Sequence, residues 1–173
     1  MRDDLTLALR RSFDGNAWHG PSLREVLDGV DAAAALQRPV ADAHSIWELT
    51  HHLMAWTREV TRRLRGATAG MPTEGNWVDA TDTSEDAWRR LRASLDDARD
   101  ELMTALAGLP ADRLDDRVRE LQLDGSPGGE VTLRLMLIGL AEHNAYHGGQ
   151  ITLLRKALAP TPPPPDPDAI TES

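Results

Sequence analysis

The residues Ser45-Ile46-Trp47-Glu48 are the clearest helix start in this chain, and the stripe behind them narrows the class of fold. A serine three positions ahead of a glutamate forms a capping box, in which each side chain accepts a hydrogen bond from the other residue's backbone N–H. Behind it, Ile46, Leu49, Leu53, Trp56, Val60 and Leu64 recur at helical spacing and make one apolar face. The pattern predicts a helix to about Arg65, ended by Gly66. A second long helix is expected from about Ser84 to Ala107, apolar at Trp88, Leu91, Leu95, Leu102 and Leu106, with mixed charges on its other face. A third is expected from about Glu130 to Leu158. Long amphipathic helices bury their stripes on one another, and no β-alternation of useful length competes with them.

The remaining segments are shorter. Residues Asp3 to Phe13 read as a short helix stopped by Asp14-Gly15-Asn16, and Pro21 to Val30 as a second short helical piece. Ala32 to Val40 reads as a connection, Ala67 to Asp82 as a loop, and Gly108 to Gly129 as irregular and acidic, with a Ser126-Pro127-Gly128-Gly129 turn. The tail from Ala159 to Ser173 holds four consecutive prolines, Pro162 to Pro165, and is expected to be extended or disordered. The expectation is an all-α four-helix bundle over residues 1–158, followed by this tail.

Composition excludes several functions. With a net charge of −9 and no basic block, the chain is repelled by phosphate backbones and anionic membrane surfaces, so neither nucleic acid nor membrane is expected as a partner. No stretch approaches the roughly 18 apolar residues of a membrane span, and the N-terminus carries acids where a signal peptide would be apolar. A cytoplasmic location is the expectation. There are no cysteines, which removes disulfides, thiolate ligands and a protein-borne thiol nucleophile together. Any metal is held by nitrogen and oxygen, and any thiol chemistry uses a thiol brought from outside.

Six histidines remain to be placed: His19, His44, His51, His52, His143 and His147. At about 100° per residue, His52 lies roughly 80° from the centre of its helix's apolar stripe, on the flank, while His51 lies roughly opposite and is expected to face water. On the last helix, His147 falls about 20° and His143 about 60° from the stripe centre, one turn apart at the spacing that lets two imidazoles reach one ion. Asn144 also points inward. Three polar residues in an apolar stripe are costly unless they bind something. The competing reading is that each histidine is a hydrogen-bonded core residue. The Gly148-Gly149 pair matches no phosphate loop and reads as a close helix-packing point.

Two stretches resemble a known family. His44-Ser45-Ile46-Trp47-Glu48-Leu49-Thr50-His51-His52-Leu53-Met54-Ala55-Trp56 is similar to the second-helix motif of the DinB-like (DinB/YfiT) superfamily, and Glu142-His143-Asn144-Ala145-Tyr146-His147-Gly148-Gly149-Gln150-Ile151 to its H-x-x-x-H-x-G-Q-I motif. The Trp18-His19-Gly20-Pro21-Ser22 loop is similar to one found in part of that family. The resemblance spans about residues 1–158. It implies a four-helix bundle, often a homodimer, with one divalent metal (zinc, nickel or iron) on His52, His143 and His147.

Three imidazoles leave coordination positions open, the layout of a catalytic rather than a structural site. The resemblance favours a transferase or isomerase that acts on a small molecule with a low-molecular-weight thiol such as bacillithiol or mycothiol. Trp18, His19 and Trp56 are the candidate pocket residues, and Asn144 and Gln150 the candidates to orient a ligand histidine or a bound water. The alternatives are a metal-dependent hydrolase, for which Glu142 points the wrong way to serve as base, and a non-catalytic stress-associated dimeric bundle.

Overall fold

The computed structural model of the chain describes residues 2–121 and 127–159. Four longer helices, α1 (Arg2–Asp14), α4 (Ile46–Leu64), α5 (Glu85–Gly108) and α6 (Leu133–Leu158), pack as a bundle. In it α4 lies against α5 and α6, and α1 against α6 and α5. The stripes read from the sequence are the faces that meet: Leu53, Leu102, Leu106, Leu137 and Ile151 are fully buried. Trp88 is sealed in the same core, its indole N–H donating to the Val30 carbonyl at 2.7 Å, with the Trp47 ring tilted against it. Burying an indole requires such an acceptor for its N–H.

Two short helices bridge α1 to α4. The first, α2 (Leu23–Leu27), starts later and ends sooner than the proline at position 21 suggests. Its start is set by a second capping box, in which Ser22 N–H donates to Glu25 Oε2 at 2.8 Å. The second, α3 (Ala32–Leu36), replaces the expected connection, because the Asp31 side chain accepts from the Ala34 N–H and nucleates a turn there.

The other correction lies between α5 and α6. After a 3-10 turn (Ala111–Asp115), strands β1 (Arg117–Leu121) and β2 (Pro127–Thr132) form an antiparallel hairpin where the sequence suggests irregular chain. Its register pairs Arg117 with Thr132, Val118 with Val131 and Arg119 with Glu130. Strand pairing is a contact between two segments, so neither segment announces it alone. The hairpin takes residues 130–132 from the expected last helix, which begins only where Thr132 caps the Leu135 N–H. Residues 122–126, with part of the expected turn, and 160–173, with the proline run, lie outside the described residues. Among the described residues no helix is long and apolar enough to cross a membrane.

Candidate metal centre

His52 stands in the middle of α4, and His143 and His147 stand one turn apart on the face of α6 that packs toward it. The three side chains converge: one nitrogen from each lies within 4.8 Å of the others, a grouping that can hold a metal ion. His52 Nε2 and His143 Nε2 face each other at 2.9 Å. The ring centroids are 4.9 Å apart for His52 and His143, 4.8 Å for His52 and His147, and 4.5 Å for His143 and His147.

Hydrogen bonds on the outer side of the cluster select tautomers. His52 donates from Nδ1 to the Asn76 carbonyl at 3.2 Å, and His147 from Nδ1 to Gln150 Oε1 at 2.6 Å. Each bond places the ring proton on Nδ1 and leaves a lone pair on the inward Nε2, the arrangement that an outer acceptor gives a metal-binding histidine. His143 Nδ1 is buried with no hydrogen-bond partner among the described residues. Burial pushes the His143 pKa down to about 3, helped by the neighbouring histidines, and the His52 pKa to about 4, helped by His147. His147 is also lowered by burial, with the Gln150 bond opposing. All three are therefore neutral at pH 7, as ligands must be. Buried neutral nitrogens facing one another, without a carboxylate or thiolate among them, fit a borderline divalent ion such as zinc, nickel or iron(II) rather than calcium or magnesium.

The loop after α4 completes the site, and it is pinned along α4 one turn after another. Trp56 Nε1 donates to Asn76 Oδ1 at 2.7 Å. Buried Glu59 accepts from the Gly70 N–H and from Arg63 Nε, and Arg63 Nη2 donates to the Gly70 carbonyl. Gly75 sits at φ +87°, and a Cβ there would come within 2.6 Å of Val78, so the loop can turn at this point only with glycine. That turn lays Trp77 flat between two imidazoles, 3.7 Å from His44 and 3.9 Å from His52 by ring centroid, at interplanar angles of 4° and 3°. The stack and the Asn76 carbonyl together hold the His52 ring in one plane.

The histidines form one wall of a cavity of about 500 Å³. Its other walls are Trp56, Val60, Trp77, Leu135, Met136 and Leu140, with Arg63 and Tyr146 as the polar groups beyond the histidines and Asn76. Among the described residues, no carboxylate lines it.

Of the residues singled out from the sequence, Trp56 lines this cavity and Gln150 bonds His147. Trp18 and His19 line a separate cleft between α1 and α6, beside Glu142, and Trp18 is fully exposed there. Asn144 is buried, but its amide donates to Ser12 Oγ on α1 at 3.0 Å, so it ties two helices rather than a ligand histidine. His51, expected to face water, is half-buried, with its pKa lowered by that burial. Gly148 faces Leu23 of α2 at a distance that would accept a methyl group, so the packing there does not demand glycine. Sequence reasoning missed Arg63, Asn76, Trp77 and Tyr146. For Trp77 a signal existed, a large indole inside a Gly- and Pro-bearing loop of a chain with one Tyr and one Phe.

A model of the DinB superfamily matches residues 17–151 of this chain. No curated protein and no solved structure matches it.

Proposed function

The chain belongs to the DinB superfamily, and on that membership and the histidine geometry we propose that it is a divalent-metal-dependent enzyme that transfers a low-molecular-weight thiol to an electrophilic small molecule. The observation that carries this reading is that His52, His143 and His147 present neutral nitrogens to a largely apolar cavity that, among the described residues, no carboxylate lines. A divalent ion held by these residues supplies a Lewis-acid position that favours the deprotonated form of an incoming thiol.

The chain's own residues then have distinct tasks. Asn76, Trp77 and Gln150 hold two imidazoles in their tautomers and planes before any ligand arrives, so no reorganisation is needed at that moment. The apolar walls exclude water from the electrophile. The thiol proton leaves to solvent, the sulfur forms a bond to the electrophilic carbon, and the leaving group departs with its bonding pair. With no cysteine in the chain, the sulfur is necessarily the co-substrate's. A hydrolase would need a base for water, and the nearby candidate from the sequence, Glu142, lines the other cleft.

Elemental mass spectrometry tests the site, on wild type and on His52→Ala, His143→Ala and His147→Ala, with His51→Ala as control. About one ion per chain is expected, lost in the first three variants and kept in the fourth. A wild type that stays empty after incubation with zinc, nickel or iron(II) would sink the proposal. So would a loaded protein that consumes no thiol across a panel of low-molecular-weight thiols and electrophiles. The first outcome would leave the non-catalytic bundle, and the second the metal-dependent hydrolase or that bundle.

A further inference from the structure

Arg63 is an unexpected residue to find at the wall of an apolar cavity. Its side chain is only 7% exposed, and two of its three nitrogens are used: Nε donates to Glu59 Oε1 and Nη2 to the Gly70 carbonyl, each at 2.8 Å. Nη1 has no partner among the described residues, yet it is not among the side-chain atoms sealed from solvent without one. Arg63 lines the cavity, and Nη1 is its one nitrogen without a partner among the described residues on which a ligand there could be held.

Charge at this end is not cancelled. Glu59, with its side chain fully buried, accepts from both the half-exposed Arg62 Nη1 and the buried Arg63 Nε, so among the described residues one carboxylate is shared by two guanidinium groups and one positive charge is left over. That surplus sits in a protein whose net charge is −9. A single surplus charge with one free N–H edge suits a monoanion, whereas a phosphate dianion calls for several convergent donors. The Trp56 ring, 5.7 Å from the guanidinium carbon, flanks the same spot.

Arg63 also stands at a defined place relative to the histidines. It lies eleven residues beyond His52 on one helix, about 16 Å along the axis at about 1.5 Å per residue. Trp56 and Val60 occupy the turns between them, on the cavity side. The cavity is thus polar at both ends and apolar between. We propose that Arg63 Nη1 anchors a carboxylate, and that the cavity takes a monocarboxylate whose apolar body runs along α4 toward the histidines. This deepens the thiol-transfer reading by naming a substrate class, and depends on it only for which end of the ligand reacts.

Octanoate and 1-octanol, equal in length and different at one end, are the probes. Their affinities are compared by isothermal titration calorimetry at pH 7.5 on the protein as purified and after stripping with EDTA. Octanoate is expected to bind about tenfold or more tighter than octanol, from one charge-assisted hydrogen bond in a half-dry site. The preference persists after stripping, which assigns it to Arg63 rather than to an ion. In Arg63→Gln it falls to near parity while octanol binding is kept. Arg63→Lys, which leaves a cation for Glu59, loses most of it and serves should the glutamine variant not fold. Equal binding of the two probes by wild type overturns the proposal, as does a preference unchanged in whichever variant melts as a folded protein. A preference that vanishes on stripping assigns the carboxylate to the ion and also overturns it. A protein that holds no metal defeats the thiol-transfer reading, but leaves the stripped-protein comparison intact.

Discussion

Replacing Gln150 by leucine removes the acceptor of the His147 Nδ1–H while keeping the side chain's approximate size. The bond is 2.6 Å long and half-buried; among the described residues His147 is the only one of the three imidazoles whose outer partner is a side chain, since His52 uses a backbone carbonyl and His143 Nδ1 has no partner. Without Gln150, the His147 ring loses both its rotational restraint and the reason for its proton to stay on Nδ1, so a share of molecules presents the wrong nitrogen to the ion. Loss of such an outer partner costs about 10- to 100-fold in metal affinity, or roughly 1.4–2.7 kcal/mol. At a fixed free zinc concentration well above the Kd of both wild type and variant, the same energy is lost from the folded state, lowering Tm by roughly 3–11 °C for a chain of this size. Competition with a chromophoric chelator measures the affinity, and thermal melts with and without zinc measure the linked stability. Gln150→Glu, which keeps an acceptor oxygen, should bind zinc at least as tightly as wild type. If Gln150→Leu binds zinc within about twofold of wild type, the bond does not position His147 and the reasoning fails.

The His52 and His143 pKa values, about 4 and about 3, lie below the ordinary 6.5, so the unfolded chain binds more protons than the native one as pH falls past 6.5. Metal-free protein should hold constant stability above that pH and lose it progressively toward pH 4, and His143→Leu should flatten the decline; urea midpoints at pH 7.5, 6 and 5 read this before the Glu48 carboxylate begins to titrate. A metal-free protein equally stable at pH 7.5 and 5 contradicts it. Trp88→Phe orphans the buried Val30 carbonyl and should cost about 1–3 kcal/mol, seen as a lower urea midpoint with metal content unchanged.

The information legible in the sequence was of short range. The capping box at Ser45, the stripe behind it and the i, i+4 pair on the last helix each involve residues within a turn or two of one another, so helical periodicity alone points His52, His143 and His147 inward. The match over residues 17–151 then ties those motifs to one family. Tertiary packing settled which distant segments lie against that face. The loop carrying Asn76 and Trp77 has no periodicity, and its place is set by the Gly75 turn and by Glu59 and Arg63, which are neighbours of Gly70 only in the folded chain. The hairpin of β1 and β2 depends on pairing between two segments, and the wheel that turned Asn144 inward could not show that Ser12 of another helix would meet it. His51 illustrates the same limit: the wheel sets it opposite the apolar stripe, but it is half-buried, because how much water reaches it depends on what packs beside the helix. Local backbone preference orients a side chain, while its surroundings come from packing between segments far apart in the chain, and those contacts leave no pattern in any single stretch of sequence.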